Sequence, residues 1–207
     1  MVTEASIRAV LDSKFGGVLT AGKHSRNGRA CALEALSVVQ GVDWTDSPVL
    51  LRIFDLRTLN DMSVSDALRT KMLLPLLAAY AGSMDWPIAR QRAVSTQLIV
   101  LTVNRLISEF PGLSEVIRTQ CRSARTCHEA RDAALAARAA SADLDSAALD
   151  ALDASAARDA LAAIDASAAL AASAASAARD ADTERIFLCV CAIWKDAVIS
   201  QPLLVEK

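Results

Sequence analysis

The sequence predicts an all-α protein, a multi-helix bundle with an alanine-rich helical hairpin and a closing C-terminal helix. Three observations predict it. No segment alternates apolar and polar residues with a period of two, so no sheet is expected. Helix start and stop signals recur along the first half of the chain. From Leu113 to Gln201 there is neither glycine nor proline, and much of that stretch is alanine, the strongest helix former.

Taken in order, residues 3–13 read as a short helix with Ile7, Val10 and Leu11 on one face and Thr3 as a cap. Residues 14–29 hold four of the seven glycines and read as a loop. A helix over 30–40 should be closed by Gly41 in the left-handed conformation. In VDWTDSP, Asp46 or Ser47 can cap the next helix and Pro48 can take its first turn, the helix running to about Leu59 and stopping at Asn60-Asp61. Ser63 or Ser65 caps the following helix, which Pro75 should kink or split before Gly82 ends it. Asp85-Trp86-Pro87 repeats the cap-then-proline signal and opens a long helix over 87–109, with Val94, Leu98, Leu101 and Leu106 on its apolar face. After the break at Pro111-Gly112, Ser114 caps an almost continuous helix.

Of the 54 residues from 129 to 182, 27 are alanine, and ASAARDA occurs at both 154–160 and 175–181. A straight helix of that length would extend roughly 80 Å, too far for a small domain to cover. A fold-back is therefore expected near Ser141–Asp143, with a second break possible near Asp165–Ser167. Leu149, Leu152, Ala156, Ala160, Ile164 and Leu170 lie close to one stripe, a small-residue seam suited to helix packing, self-association or docking of a partner. Residues 183–199 are the most hydrophobic piece and are expected to return onto the N-terminal helices. The chain thus divides into an N-terminal helical domain (1–128), an alanine-rich arm (129–182) and a C-terminal helix packing on the N-terminal domain (183–207).

The net charge of −2 points to neither a nucleic-acid binder nor an acidic tail. Its distribution is uneven: residues 1–128 carry 15 Lys and Arg against 11 Asp and Glu, and residues 129–182 carry 4 against 10. The two parts can attract each other or offer faces of opposite sign to partners. The first residues show no secretory pattern, the longest apolar run (186–194) is too short to cross a bilayer, and five unpatterned cysteines fit a reducing compartment. A cytoplasmic location with no membrane attachment is expected.

Chemistry is concentrated between Gly22 and Asp61. GVLTAGKHS at 17–25 nearly spells a phosphate loop, with Gly17, Gly22 and Lys23 in place, but His24 takes the Ser/Thr position and a helix, not a strand, precedes it. A simpler anion-binding loop would use glycine amides with Lys23, Arg26 and Arg29. His24, Cys31, Glu34, Asp46 and Asp61 form the one constellation resembling a site. A histidine with carboxylates can ligate a metal or move protons, although the spacing fits no ligand pattern and no metal site is assigned. The structural alternative makes Asp46 a cap, Asp61 a helix end, Glu34 a partner for a loop arginine and Cys31 a core residue. The remaining cysteines point apart on their helices, Cys121 and Cys127 by about 240° and Cys189 and Cys191 by about 200°. Arg118, Arg122 and Arg125 share a stripe that could meet phosphate, but a solvated face, or pairing with the acidic arm, is the expected role.

The pattern G-x-H, C-x-x-E-A, G-x-x-x-x-D-x-P and L-N-D, carried here by Gly22, His24, Cys31, Glu34, Ala35, Gly41, Asp46, Pro48, Leu59, Asn60 and Asp61, resembles uncharacterised alanine-rich helical proteins of actinobacteria and their phages. That resemblance covers roughly residues 22–82 and more loosely the arm, and implies no activity. The expected function is a non-enzymatic interaction or structural protein, phage-encoded or phage-related, that needs no cofactor. It would bind a protein partner, or self-associate, through the arm stripe (Leu149, Leu152, Ile164, Leu170), or bind through the His24 loop; nucleic acid is not the expected partner. The competing function is a small metal- or phosphate-dependent enzyme or ligand-binding protein centred on His24, Glu34, Asp46 and Asp61.

Overall fold

The computed structural model describes residues 2–22, 28–45, 56–110, 113–140 and 180–199. Eight α-helices and two short 3-10 turns occur among the described residues, with no strand, so the chain is an all-α helical bundle protein. It divides into two compact units, residues 1–85 and 86–207.

The first unit contains α1 (Glu4–Lys14), α2 (Ala32–Gln40), α3 (Leu56–Asp61) and α4 (Asp66–Tyr80), followed by a 3-10 turn at Ser83–Asp85. Thr3 caps α1 through the Ser6 amide and receives the reciprocal bond from the Ser6 side chain. Gly41 closes α2 at φ 68°, a left-handed conformation that side chains with a Cβ resist. Ser65 caps α4 by accepting from the Leu68 amide. Pro75 lies within α4 without splitting it. Ile7, Leu11, Leu19, Leu36, Leu59, Leu73 and Leu77 are buried in this unit's core.

The second unit contains α5 (Ile88–Arg105), a 3-10 turn at Ile107–Glu109, α6 (Glu115–Ser123), α7 (Cys127–Ala140) and α8 (Asp180–Ile199). Both α7 and α8 pack on α5. Val94, Leu98, Leu101 and Leu106 are all buried, as the periodicity requires. On α8 the buried face is Phe187, Val190, Cys191, Ile193, Trp194 and Ala197.

Two sequence expectations need correction. Asp85 does not cap α5: it belongs to the preceding 3-10 turn, and Pro87 stands at the N-cap with no side-chain bond. The chain after Leu113 is not continuous helix, because α6 stops at Ser123 and Ala124 turns extended before α7 begins. The compact units divide after Asp85, and α8 packs on α5, which lies within residues 1–128. The expected hairpin and its breaks lie outside the described residues.

Candidate functional site: a buried frame at the base of the glycine-basic loop

The loop between α1 and α2 begins in turns at Gly16 and Gly17, both left-handed. Arg8 donates from Nη1 to the Gly17 carbonyl at 3.1 Å, and the Gly17 amide donates to the Leu11 carbonyl at 3.0 Å, so the loop leaves α1 along a fixed path. The amide of Leu19 then donates to Thr70 Oγ1 at 2.8 Å, and that hydroxyl donates to the Asp66 carbonyl at 2.6 Å. Thr70 on α4 therefore anchors the incoming strand of the loop.

Across the base, the Thr20 amide donates to the Ala30 carbonyl at 3.0 Å and its hydroxyl donates to the same oxygen at 3.2 Å. Asn60, 1% exposed, spans this closure from α3. Its Nδ2 donates to the Thr20 carbonyl at 3.0 Å, and its Oδ1 accepts from the Ala32 amide at 3.0 Å. Nδ2 also donates to Asp61 Oδ1 at 2.9 Å, and that oxygen accepts the Gly22 amide at 2.7 Å. One Asn-Asp pair thus satisfies backbone groups on both arms of the loop. Leaving such groups unpaired in the interior would cost about 1–3 kcal/mol each.

Arg69, 2% exposed, holds the Asn-Asp pair in place. It donates from Nε to the Asn60 carbonyl at 2.6 Å and from Nη2 to the carbonyls of Met62 and Val64, each at 3.0 Å. Its Nη1 pairs with Asp66. The planar fork of guanidinium reaches three carbonyls at once, which a lysine ammonium cannot do with fixed geometry.

On the outgoing side, Cys31 and Glu34 form a capping box. The Glu34 carboxylate accepts the Cys31 amide at 2.8 Å, and the Cys31 Sγ accepts the Glu34 amide at 3.5 Å. Glu34 is 0% exposed, so this carboxylate starts α2 from inside the core. Burial is the main reason that the Cys31 thiol is pushed up to about 12, with the neighbouring Glu34 charge adding to it. A thiol so held remains protonated at neutral pH and is a poor nucleophile.

The expected constellation is therefore placed as follows. Glu34 on α2 and Asp61 at the end of α3 each accept a main-chain amide, from Cys31 on the outgoing side of the loop and from Gly22 on the incoming side. Glu34 accepts the Cys31 amide, and Arg26, one of the loop arginines offered as its partner, lies outside the described residues. Lys23, His24, Arg26 and Asp46 lie outside the described residues, as do Leu149, Leu152, Ile164 and Leu170 of the arm stripe. Arg29 is exposed. Among the described residues no group of three or more His, Cys, Asp or Glu side chains is arranged to hold a metal.

Sequence reasoning missed Thr20, Asn60, Arg69 and Thr70 as members of the frame. Only Asn60 carried a signal, through the L-N-D element. Arg118 and Arg122 on α6, and Arg125 just beyond its end, all bond to groups of the second unit. Arg118 donates to the carbonyls of Leu113, Ser108 and Phe110, and Arg122 pairs with Glu109 and Glu115. The bond from Arg122 holds the Glu109 carboxyl below its usual range. Arg125 donates to the carbonyls of Arg122 and Ala124. No described helix is long and apolar enough to cross a membrane.

The chain matches no family model, no curated protein and no solved structure.

Proposed function

We propose that the chain is a non-enzymatic interaction protein whose first unit serves to position the loop 21–29 for a macromolecular partner with an acidic surface. One observation carries this reading: Thr20, Asn60, Asp61 and Thr70 tie down both arms of that loop, and Arg69 fixes the Asn-Asp pair from behind. A surface connection with no task needs no such set of buried partners, and loops held by a fixed scaffold are common sites of recognition. The loop contains Lys23, His24, Arg26 and Arg29 and no acidic residue. Its charge favours an acidic protein face, either on another protein or on the acidic arm of a second copy.

On this reading the pattern resembling actinobacterial and phage proteins is largely a loop-holding device: C-x-x-E starts α2, and L-N-D closes the loop base. The competing enzyme reading has less support, because Glu34 and Asp61, two of its four residues, already hold backbone amides. The alanine-rich arm is a second candidate contact. Its stripe of Leu149, Leu152, Ile164 and Leu170 is the surface it would use.

The test is affinity capture with the full chain, comparing wild type, the triple variant Lys23→Glu/Arg26→Glu/Arg29→Glu, and Leu152→Asp. The loop reading expects one partner, identified by mass spectrometry, to be lost from the triple variant while its thermal midpoint stays within about 2 °C of wild type, as for surface changes. Loss only from Leu152→Asp would assign the contact to the arm. A midpoint rise with one divalent metal or with phosphate, abolished by His24→Ala, would instead favour the enzyme or ligand-binding reading.

A further inference from the structure

A separate feature lies on the first unit between the end of α1 and the turn after α2. It is an open cleft of about 520 Å³, lined among the described residues by Lys14, Phe15, Val38, Gly41, Val42 and Trp44. Sites for small organic ligands fall in this size range. The lining has two chemistries. The Phe15 and Trp44 rings pack tilted at 48° with centroids 5.4 Å apart, an arrangement that aromatic pairs favour. Val42, 42% exposed, stands open to water beside them. Gly41 adds no side chain, and no other group lies within 4 Å of the position a Cβ would take.

Among the described residues of the lining the single charge is Lys14, which is exposed and makes no ion pair among the described residues. Asp43, between Val42 and Trp44 in the chain, is exposed and is not part of the lining. An exposed ammonium beside an apolar ring surface attracts an anion and repels a cation. We propose that the cleft binds a small amphipathic anion, with an aromatic ring system seated against Trp44 and Val42 and an acidic group at the Lys14 ammonium. Carboxylate, sulfonate and phosphate share the required chemistry. The inference stands apart from the partner-binding role of the loop, since none of its residues belongs to the frame.

The experiment uses the full chain with two fluorescent probes of similar shape: the anion anilinonaphthalene sulfonate and neutral N-phenyl-1-naphthylamine. The expected result is saturable binding of one anion per chain, tighter than the neutral probe. Lys14→Glu should weaken the anion by about two- to fivefold, as loss of a surface ion pair implies, and leave the neutral probe unchanged. Trp44→Ala should weaken both. Since Lys14 is exposed, its variant folds, and it decides the matter if Trp44→Ala unfolds. Non-saturable binding, preference for the neutral probe, or an anion affinity unchanged by Lys14→Glu would each overturn the proposal.

Discussion

The two units solve the same packing problem with different materials. The first, 1–85, places Asn60, Arg69, Thr70, Thr20 and Glu34 in its interior and uses them to satisfy loop backbone. The second, 86–207, packs Ile99, Val103, Ile107, Phe110 and Leu113 against an alanine face of α7. Alanine lets helices approach closely but removes little apolar area from water per residue. Buried polar groups gain little net stability but fix one geometry, because every alternative leaves a donor or acceptor unpaired. The second unit is therefore built mainly to pack, and the first mainly to position.

Substitutions can sharpen that contrast. The largest effect is expected from Arg69→Ala, which strands three carbonyls and opens a cavity. Denaturant titration should show a loss of about 3 kcal/mol. The pairing with Asp66, which is 41% exposed, adds little to that figure. Arg69→Lys should recover only part of the loss, whereas recovery to wild-type stability would mean that charge, not fork geometry, matters.

Next comes overpacking in the second unit. Ala133→Leu forces a larger side chain into the seam between α6 and α7, where Cys121 Sγ already approaches the Ala133 carbonyl at 3.8 Å, and should destabilise by about 1–3 kcal/mol. A neutral result would mean that the seam is loosely packed. Thr126→Ala should cost about 1 kcal/mol, measured the same way, because the Thr126 hydroxyl caps the Glu129 amide.

The smallest effect at neutral pH concerns the thiols. Burial pushes both Cys31 and Cys191 up to about 12 from 9.0. Both hold their protons more tightly folded than unfolded, so their effect on stability is absent below about pH 9 and becomes destabilising as pH rises toward 12. The buried Tyr80 hydroxyl, also raised, acts in the same direction. The thermal midpoint of Cys31→Ser should consequently fall less than that of wild type between pH 9 and 11; equal falls would remove Cys31 from the account.

Local signals in the sequence were legible where they involve neighbours along the chain. Thr3, Gly41, Ser65 and Ser114 each perform the cap or stop that their spacing implies. Two further capping boxes were present but hidden. Cys31-x-x-Glu34 carries cysteine where serine or threonine is usual, and Glu34 therefore read as a catalytic candidate. Thr126-x-x-Glu129 matches the usual signature, with the Glu129 carboxylate accepting the Thr126 amide at 3.2 Å, yet it sits where alanine suggests unbroken helix. Asp85 shows the converse, since a proline two residues later suggested a cap that the 3-10 turn pre-empts.

The frame itself was not legible, because its bonds join residues far apart in the chain. Asn60 meets Thr20 and Ala32, and Thr70 meets Leu19. Residue type reveals a donor or acceptor, not whether a backbone amide will take it. Asp61 could have served a metal or a proton, and only its bond to the Gly22 amide assigns it to the loop.

The most direct test of the central claim is hydrogen exchange at the loop base, followed by NMR at the amides of Leu19, Thr20, Gly22 and Ala32 in wild type and Asn60→Ala. The account expects all four to be protected in wild type. In the variant, the Ala32 amide, which loses its acceptor Asn60 Oδ1, should exchange at least about tenfold faster, the factor corresponding to one lost hydrogen bond, while the Leu11 amide inside α1 keeps its protection. Unprotected loop-base amides in wild type, or protection unchanged by the loss of Asn60, would contradict the claim that this residue holds the loop.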